Sequence, residues 1–209
     1  MARQKCKICR RLGMKLFLKG ERCFSPKCAM VRKPYPPGAK GKRRKAGLSE
    51  YGRQLREKQK LKKWYNLEER EFRNYVKKIL AKRGSQIDIG VLLIETLERR
   101  LDNVIFRLGF ASSRRAARQM VSHGYFLVNN RSTNIPSFLV KKGDKIKIKP
   151  NVIKKAIFQK ISSLVKKHNP PSWLKLDTTN WETEVIGLPN YQEAVPSVDL
   201  LAIFEFYSK

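Results

Sequence analysis

Forty-seven lysines and arginines face seventeen aspartates and glutamates in this chain of 209 residues, a net charge of +30. A compact fold at that charge repels itself unless something neutralises it. Nucleic acid is the usual neutraliser, because every contacted phosphate releases condensed counterions. An acidic membrane surface is the competing sink. Anchoring there needs a long apolar span or a basic helix with a bulky apolar face. No apolar run in the chain approaches the ~18–20 residues of a span. The residues from Met1 to Cys6 lack the apolar stretch of a secretory signal, which predicts a cytoplasmic protein with no membrane partner.

The charge is uneven. From Asp177 to Lys209 six acids (Asp177, Glu182, Glu184, Glu193, Asp199, Glu205) stand against one base, Lys209. That tail is expected to face away from a polyanion or to pack on the basic body. Upstream, the run 38–47 carries Lys40, Lys42, Arg43, Arg44 and Lys45 with no apolar face. Such a run builds no core. It is expected to add salt-dependent affinity without sequence choice.

All four cysteines fall within residues 1–37, at Cys6, Cys9, Cys23 and Cys28. Two close pairs across a short loop bring four thiolates to one tetrahedral ion, the usual way structural zinc is held. Lys5, Lys7, Arg10, Arg22 and Lys27 are expected to lower the thiol pKa values. Disulfides are disfavoured in a reducing cytosol. One structural zinc is therefore expected, with an iron–sulfur cluster as the runner-up. A catalytic zinc would need an open position that four cysteines do not leave.

Periodicity places several helices. Leu48 to Trp64 reads as a helix with charge on several faces, of the kind that lies on a partner. Its Tyr51, Arg53, Arg56, Lys58 and Lys60 are candidate RNA contacts. Asn66, with Glu69 three residues on, resembles a capping box for a second helix whose stripe is Phe72, Tyr75, Val76, Ile79 and Leu80, stopped by Gly84. A third helix is expected from Val91 to Leu108. A fourth is capped by Ser112 or Ser113 and stopped by Gly124. One side of it holds Ala116, Ala117, Met120 and Val121; the other holds Arg114, Arg115, Arg118, Gln119 and Ser122. With Ser113 at the start and His123 at the end, that second side is the main candidate RNA contact. Its arginines suit phosphate, and His123 suits a base or a phosphate.

The period then changes to two. Tyr125 to Val128 reads as a strand, Asn129-Asn130 as a tight turn, and Lys145 to Lys149 as a strand with one apolar and one all-lysine face. Asn151 to Lys167 reads as helix, broken by Pro170-Pro171. Val198 to Tyr207, apolar on both parities, reads as a buried strand or packed terminal segment. The fold class expected is α+β: a helical amino-terminal domain with the four-cysteine segment, plus a helix–helix–strand module with a small β-sheet.

The strings Arg99-Arg100-Leu101-Asp102-Asn103-Val104, Arg107-Leu108-Gly109-Phe110-Ala111-Ser112-Ser113-Arg114 and Val121-Ser122-His123-Gly124 resemble the RNA-binding module named after the S-four ribosomal family. The module also occurs in pseudouridine synthases, some aminoacyl-tRNA synthetases and a heat-shock RNA binder. Outside it, Cys23-Phe24-Ser25-Pro26-Lys27-Cys28, Pro34-Tyr35-Pro36-Pro37-Gly38, Leu48-Ser49-Glu50-Tyr51-Gly52, Trp173-Leu174 and Glu205-Phe206-Tyr207-Ser208-Lys209 resemble the ribosomal family itself, in its four-cysteine branch. The stretch 177–196 departs most from the pattern, and Asn130 stands where the module usually has glycine.

The resemblance implies a protein that binds the 5′ domain of small-subunit rRNA early and nucleates subunit assembly. It implies a place near the mRNA entry path with neighbouring ribosomal proteins, and repression of its own translation in some members. It also implies the domain layout: a zinc segment over 1–37, a basic linker and helical domain over 38–96 joined by residues from about 170 to 209, and the module with its following helix over 97–169. Arg100-Leu101-Asp102 superficially resembles the catalytic triplet of pseudouridine synthases. However, Asn103-Val104-Ile105 does not continue that motif, and no separate catalytic domain fits. His123 and His168 are far apart with no obvious nucleophile, so neither an enzyme nor a small-molecule substrate is expected.

Overall fold

A computed structural model describes residues 2–38, 47–81, 88–155, 158, 161–162, 165, 168–194 and 198–208. The basic run with Lys40, Lys42, Arg43, Arg44 and Lys45, and the expected stop at Gly84, lie outside the described residues. The chain forms two compact units: Met1–Leu93 with Pro196–Lys209, and Ile94–Val195. The carboxyl-terminal residues grouped with the first unit are Pro196–Lys209.

The first unit is helical. It contains α1 (Ala2–Leu12), a 3-10 turn (Gly20–Cys23), α2 (Ala29–Arg32), α3 (Glu50–Trp64) and α4 (Glu69–Leu80). Ser49 caps α3, its hydroxyl accepting from the Gly52 N–H at 3.2 Å. Asn66 does not cap α4. It sits at φ +55° and closes α3: its N–H donates to the Lys63 carbonyl, and that of Leu67 to the Lys62 carbonyl. These are the paired bonds of a left-handed helix stop. Phe72, Val76 and Ile79 form the buried stripe of α4.

The last helix of the chain, Leu200–Ser208, packs in this unit too. The segment expected there as a strand or packed terminus is helical, burying Ala202, Ile203 and Phe204. Tyr207 lies 6.1 Å from Phe72 by ring centroids, and its hydroxyl donates to Glu69 at 2.8 Å. Lys58 and Lys62 donate to the same carboxylate at 2.8 and 2.6 Å. Burial pushes the Glu69 carboxyl up, but these donors outweigh it and hold it at about 2.

Helix α5 (Ile89–Glu98) leads into the second unit, which continues with α6 (Leu101–Arg107), α7 (Arg114–Ser122), β1 (Phe126–Val128), β2 (Arg131–Thr133), β3 (Lys145–Ile148), α8 (Pro150–Ile153), β4 (Leu174–Asp177), β5 (Glu182–Val185) and α9 (Tyr191–Ala194). The final helix, Leu200–Ser208, is α10. The single helix expected from Val91 to Leu108 is broken at Arg99-Arg100. There the backbone leaves the helix to pair with a distant segment: Leu101 and Asp102 donate to the Phe138 and Pro136 carbonyls, and Val140 donates to Arg99. Gly109 ends α6 at φ +79°, and a Cβ there would lie 2.9 Å from the His168 ring, so any other residue would be strained and would force that ring to shift.

The five strands form one antiparallel sheet in the order β2-β1-β3-β5-β4. Asn129 and Asn130 both have positive φ, +50° and +63°, as a two-residue hairpin requires. On β3, Ile146 and Ile148 turn into the core while Lys145 and Lys147 turn out. The stretch that departs from the family pattern supplies β5, whose Glu182 lies 3.9 Å from Lys145 and 3.2 Å from Lys147. The lysine face is therefore partly neutralised from within the sheet. The core joins Leu101, Val104, Ile105 and Leu108 of α6 and its end to Ala117 and Val121 of α7 and Phe126, Ile146, Trp173 and Val185 of the sheet region.

Candidate RNA-binding face and cysteine cluster

Helix α7 is set by its own first residues. The Ser113 hydroxyl accepts from the Ala116 N–H at 3.3 Å, as an N-cap does. Ala117, Met120 and Val121 are buried, while Arg115, Gln119 and Ser122 are exposed and follow one another at helical spacing. His123 is exposed where the helix ends, and Gly124 turns the chain at φ +66°. Arg118, half-exposed, lies 3.8 Å from Asp102.

Arg114 corrects the expected division of this helix. It is buried at 7% exposure. Its guanidinium lies 4.5 Å from the Phe106 ring centroid, and its Nε donates to the Asn103 side-chain carbonyl at 2.8 Å. Asn103 in turn donates to Glu98 at 2.8 Å, and Glu98 accepts two bonds from Arg107 at 2.9 Å each. Arg114 thus ties α7 to α6 instead of facing outward with Arg115. Beneath it lies a second buried pair: Arg100, fully buried, donates to Asp102 at 3.0 and 2.7 Å. Burial pushes the Asp102 carboxyl up, against the pull of Arg100 and Arg118.

The candidates on α3 also divide. Tyr51 and Arg53 are exposed, Arg53 lying 3.2 Å from Glu50. Arg56 donates to the Leu12 carbonyl at 3.0 Å, Lys58 is buried against Glu69 and the Phe206 ring, and Lys60 is held by Glu57. The charges of Arg56, Lys58 and Lys60 therefore serve internal partners, which sequence periodicity cannot show. The exposed set is Tyr51, Arg53, Arg115, Gln119, Ser122 and His123. Sequence reasoning passed over Tyr125, Lys149 and Lys155, which gather beside His123. No local pattern signals them, because Lys149 and Lys155 stand 25 and 31 positions past Gly124 and are brought back to Tyr125 only by the fold.

Cys9, Cys23 and Cys28 are buried and Cys6 is half-buried; none of the four is in a disulfide. Cys9, Leu12 and Leu16 form a small apolar cluster with Met30 and Trp64 against it. Burial pushes the Cys9 thiol up, and the like charges of Cys23, Cys6 and Cys28 push the same way, while the Leu16 N–H donates to it. The expected lowering by neighbouring cations does not govern Cys9. Arg10, one of those cations, donates instead to the carbonyls of Lys33 and Tyr35 at 2.9 and 2.8 Å. Among the described residues, no group of three or more His, Cys, Asp or Glu side chains is arranged so that it could hold a metal ion. The donor chemistry, four thiols within electrostatic reach of one another, suits zinc. Among the described residues, no helix is long and apolar enough to cross a membrane.

A family model described as the Ribosomal protein S4/S9 N-terminal domain matches residues 1–98, and one described as the S4 domain matches residues 99–146. Relatives similar over nearly the whole chain carry the name Small ribosomal subunit protein uS4. That of Caldicellulosiruptor bescii is 49% identical over 98% of this chain and 96% of its own length. That of Syntrophomonas wolfei is 46% identical over the same shares. That of Koribacter versatilis is 46% identical over the full length of both chains.

Proposed function

The chain belongs to the small ribosomal subunit protein uS4 family, and from that premise we propose that it is a structural, RNA-binding constituent of the small ribosomal subunit rather than an enzyme. It binds the 5′ domain of small-subunit rRNA directly and nucleates assembly there. It lies beside neighbouring ribosomal proteins near the mRNA entry path, and repression of its own translation, which the resemblance implies for some members, belongs to the same reading. The observation that carries this reading is the exposed edge of α7, with Arg115, Gln119 and Ser122 in register and His123 at its end. A chain of net charge +30 needs a polyanion, and this edge offers such a partner a binding surface on a helix fixed to its core.

The test is competition between 5′-domain rRNA and an unrelated structured RNA of equal length, at salt high enough to suppress plain charge attraction. A strong preference for the rRNA is expected. Arg115→Glu should weaken binding and lower the salt slope by roughly one phosphate contact. Equal loss of both RNAs would refute the reading.

The same family reading includes one structural zinc held by Cys6, Cys9, Cys23 and Cys28. Support comes from the burial of three of these thiols and from the Leu16 N–H aimed at Cys9. Zinc would supply rigidity to a segment whose own apolar cluster is small. Metal analysis of the purified protein tests it.

A further inference from the structure

Where the chain leaves α7, Gly124 reverses the backbone and the residues on either side bring their rings together. His123 stacks on Tyr125 with centroids 5.6 Å apart and planes 27° from parallel. Tyr125 is half-buried and held firmly. The Phe158 ring meets it edge-on at 6.4 Å, the Lys155 ammonium lies 4.7 Å from its centroid, and its carbonyl accepts from the Lys149 N–H at 3.0 Å. His123 itself is exposed. One face of its imidazole is turned to the tyrosine, and the side chain otherwise stands at the surface. The Lys149 ammonium is close by, 3.6 Å from where a Cβ on Gly124 would stand. Gln119 and Ser122 border the same corner.

We propose that the His123–Tyr125 stack is a docking platform for one unpaired nucleobase of the bound RNA, with Lys149 and Lys155 taking the phosphates that flank it. This deepens the rRNA reading above and rests on it. Bases within a duplex are already stacked on their neighbours; only an unpaired base has a free face for an aromatic ring. A phosphate contact alone needs a cation, not a ring held flat by a second ring. The combination of a rigid aromatic face and two flanking ammonium groups fits a single-stranded nucleotide at a loop, bulge or junction.

The test uses the full chain with His123→Ala, His123→Phe and His123→Lys, each titrated against 5′-domain rRNA and against the unrelated RNA. His123 is exposed, so none of the changes removes core. The expected result is a loss of affinity of about 5- to 100-fold for His123→Ala with an unchanged salt slope, and binding within about twofold of the original for His123→Phe. The His123 ring protons should also move upfield in the NMR spectrum when RNA binds, since a stacked base shields them. Rescue by lysine and not by phenylalanine would overturn the proposal, because His123 would then act as a cation. Unchanged binding by His123→Ala would overturn it too. If the alanine and phenylalanine variants differ as stated but neither RNA is preferred, the platform stands and the 5′-domain reading falls. If the rRNA is preferred and the variants behave alike, the reverse holds.

Discussion

Replacing Asn103 by leucine tests whether the polar network beneath α7, and not its charge alone, holds the RNA-binding edge in place. Asn103 is 2% exposed, and leucine nearly matches its shape, so the change removes hydrogen bonds without leaving a large hole. Two bonds to charged groups are lost: the donation to Glu98 at 2.8 Å and the acceptance from Arg114 at 2.8 Å. Bonds of this kind contribute about 1.5–3 kcal/mol each. Glu98 keeps Arg107, which limits the damage on that side. The bond to the Glu98 main-chain carbonyl at 3.2 Å is lost as well and contributes about 0.5–1.5 kcal/mol. The buried leucine returns about 1.5–3 kcal/mol of apolar transfer energy. The net cost is then about 2–4 kcal/mol. Urea unfolding followed by the fluorescence of Trp173 and Trp181, both in the unit that carries α7, in a Trp64→Phe background that silences the tryptophan of the first unit, reads this directly. With a slope of about 1–3 kcal/mol per molar urea, the midpoint should fall by roughly 1–2 M. Under folded conditions RNA affinity should fall as well, although Asn103 itself is buried. An unchanged midpoint would refute the reasoning, since it would mean that the network adds nothing beyond its packing.

Glu69 gives the first unit an acid-sensitive joint. Its carboxyl is held at about 2 against an ordinary 4.5, so its contribution is complete above about pH 4.5 and is lost as the pH falls towards 2. The carboxylate is 45% exposed, so solvent screening keeps that contribution small. Thermal midpoints measured from pH 6 to pH 2 should fall across that window, and Glu69→Gln should flatten part of the fall; parallel curves for the two proteins would refute the assignment. For the cysteine segment, one zinc per chain is expected by metal analysis, with thiols that react slowly until a chelator is added. Protein with no zinc and four freely titratable thiols would remove the zinc reading.

What the sequence revealed, and what it hid, divides by the distance over which each structure is decided. The cap at Ser113, the stop at Gly124, the Asn129-Asn130 turn and the alternation on β3 depend on neighbours a few residues away, and all were legible. The break at Arg99-Arg100 is made by residues 136–140, some forty positions on, so a helical period ran through it unmarked. Asn66 and Glu69 have the spacing of a capping box, yet the end of α3 claims Asn66 first, because two carbonyls at that end need donors. Leu200–Ser208 is apolar on both parities, which a strand and a well-buried helix share; packing on α3 and α4 settles it as a helix.

The sharpest case is Arg114. On a helical wheel it sits one turn from Arg118, and the two look equivalent. They differ in burial: Arg114 is held against Asn103 and Phe106, while Arg118 stays half-exposed beside Asp102. The acids follow the same logic. Glu69 meets Lys58 and Lys62, Glu98 meets Arg107, Asp102 meets Arg100, and Glu182 meets Lys145 and Lys147. These acids are bound up in holding basic side chains within each unit. The bases left at the surface without such a neighbour are therefore the ones to examine for RNA contact, and on α7 that criterion selects Arg115 over Arg114.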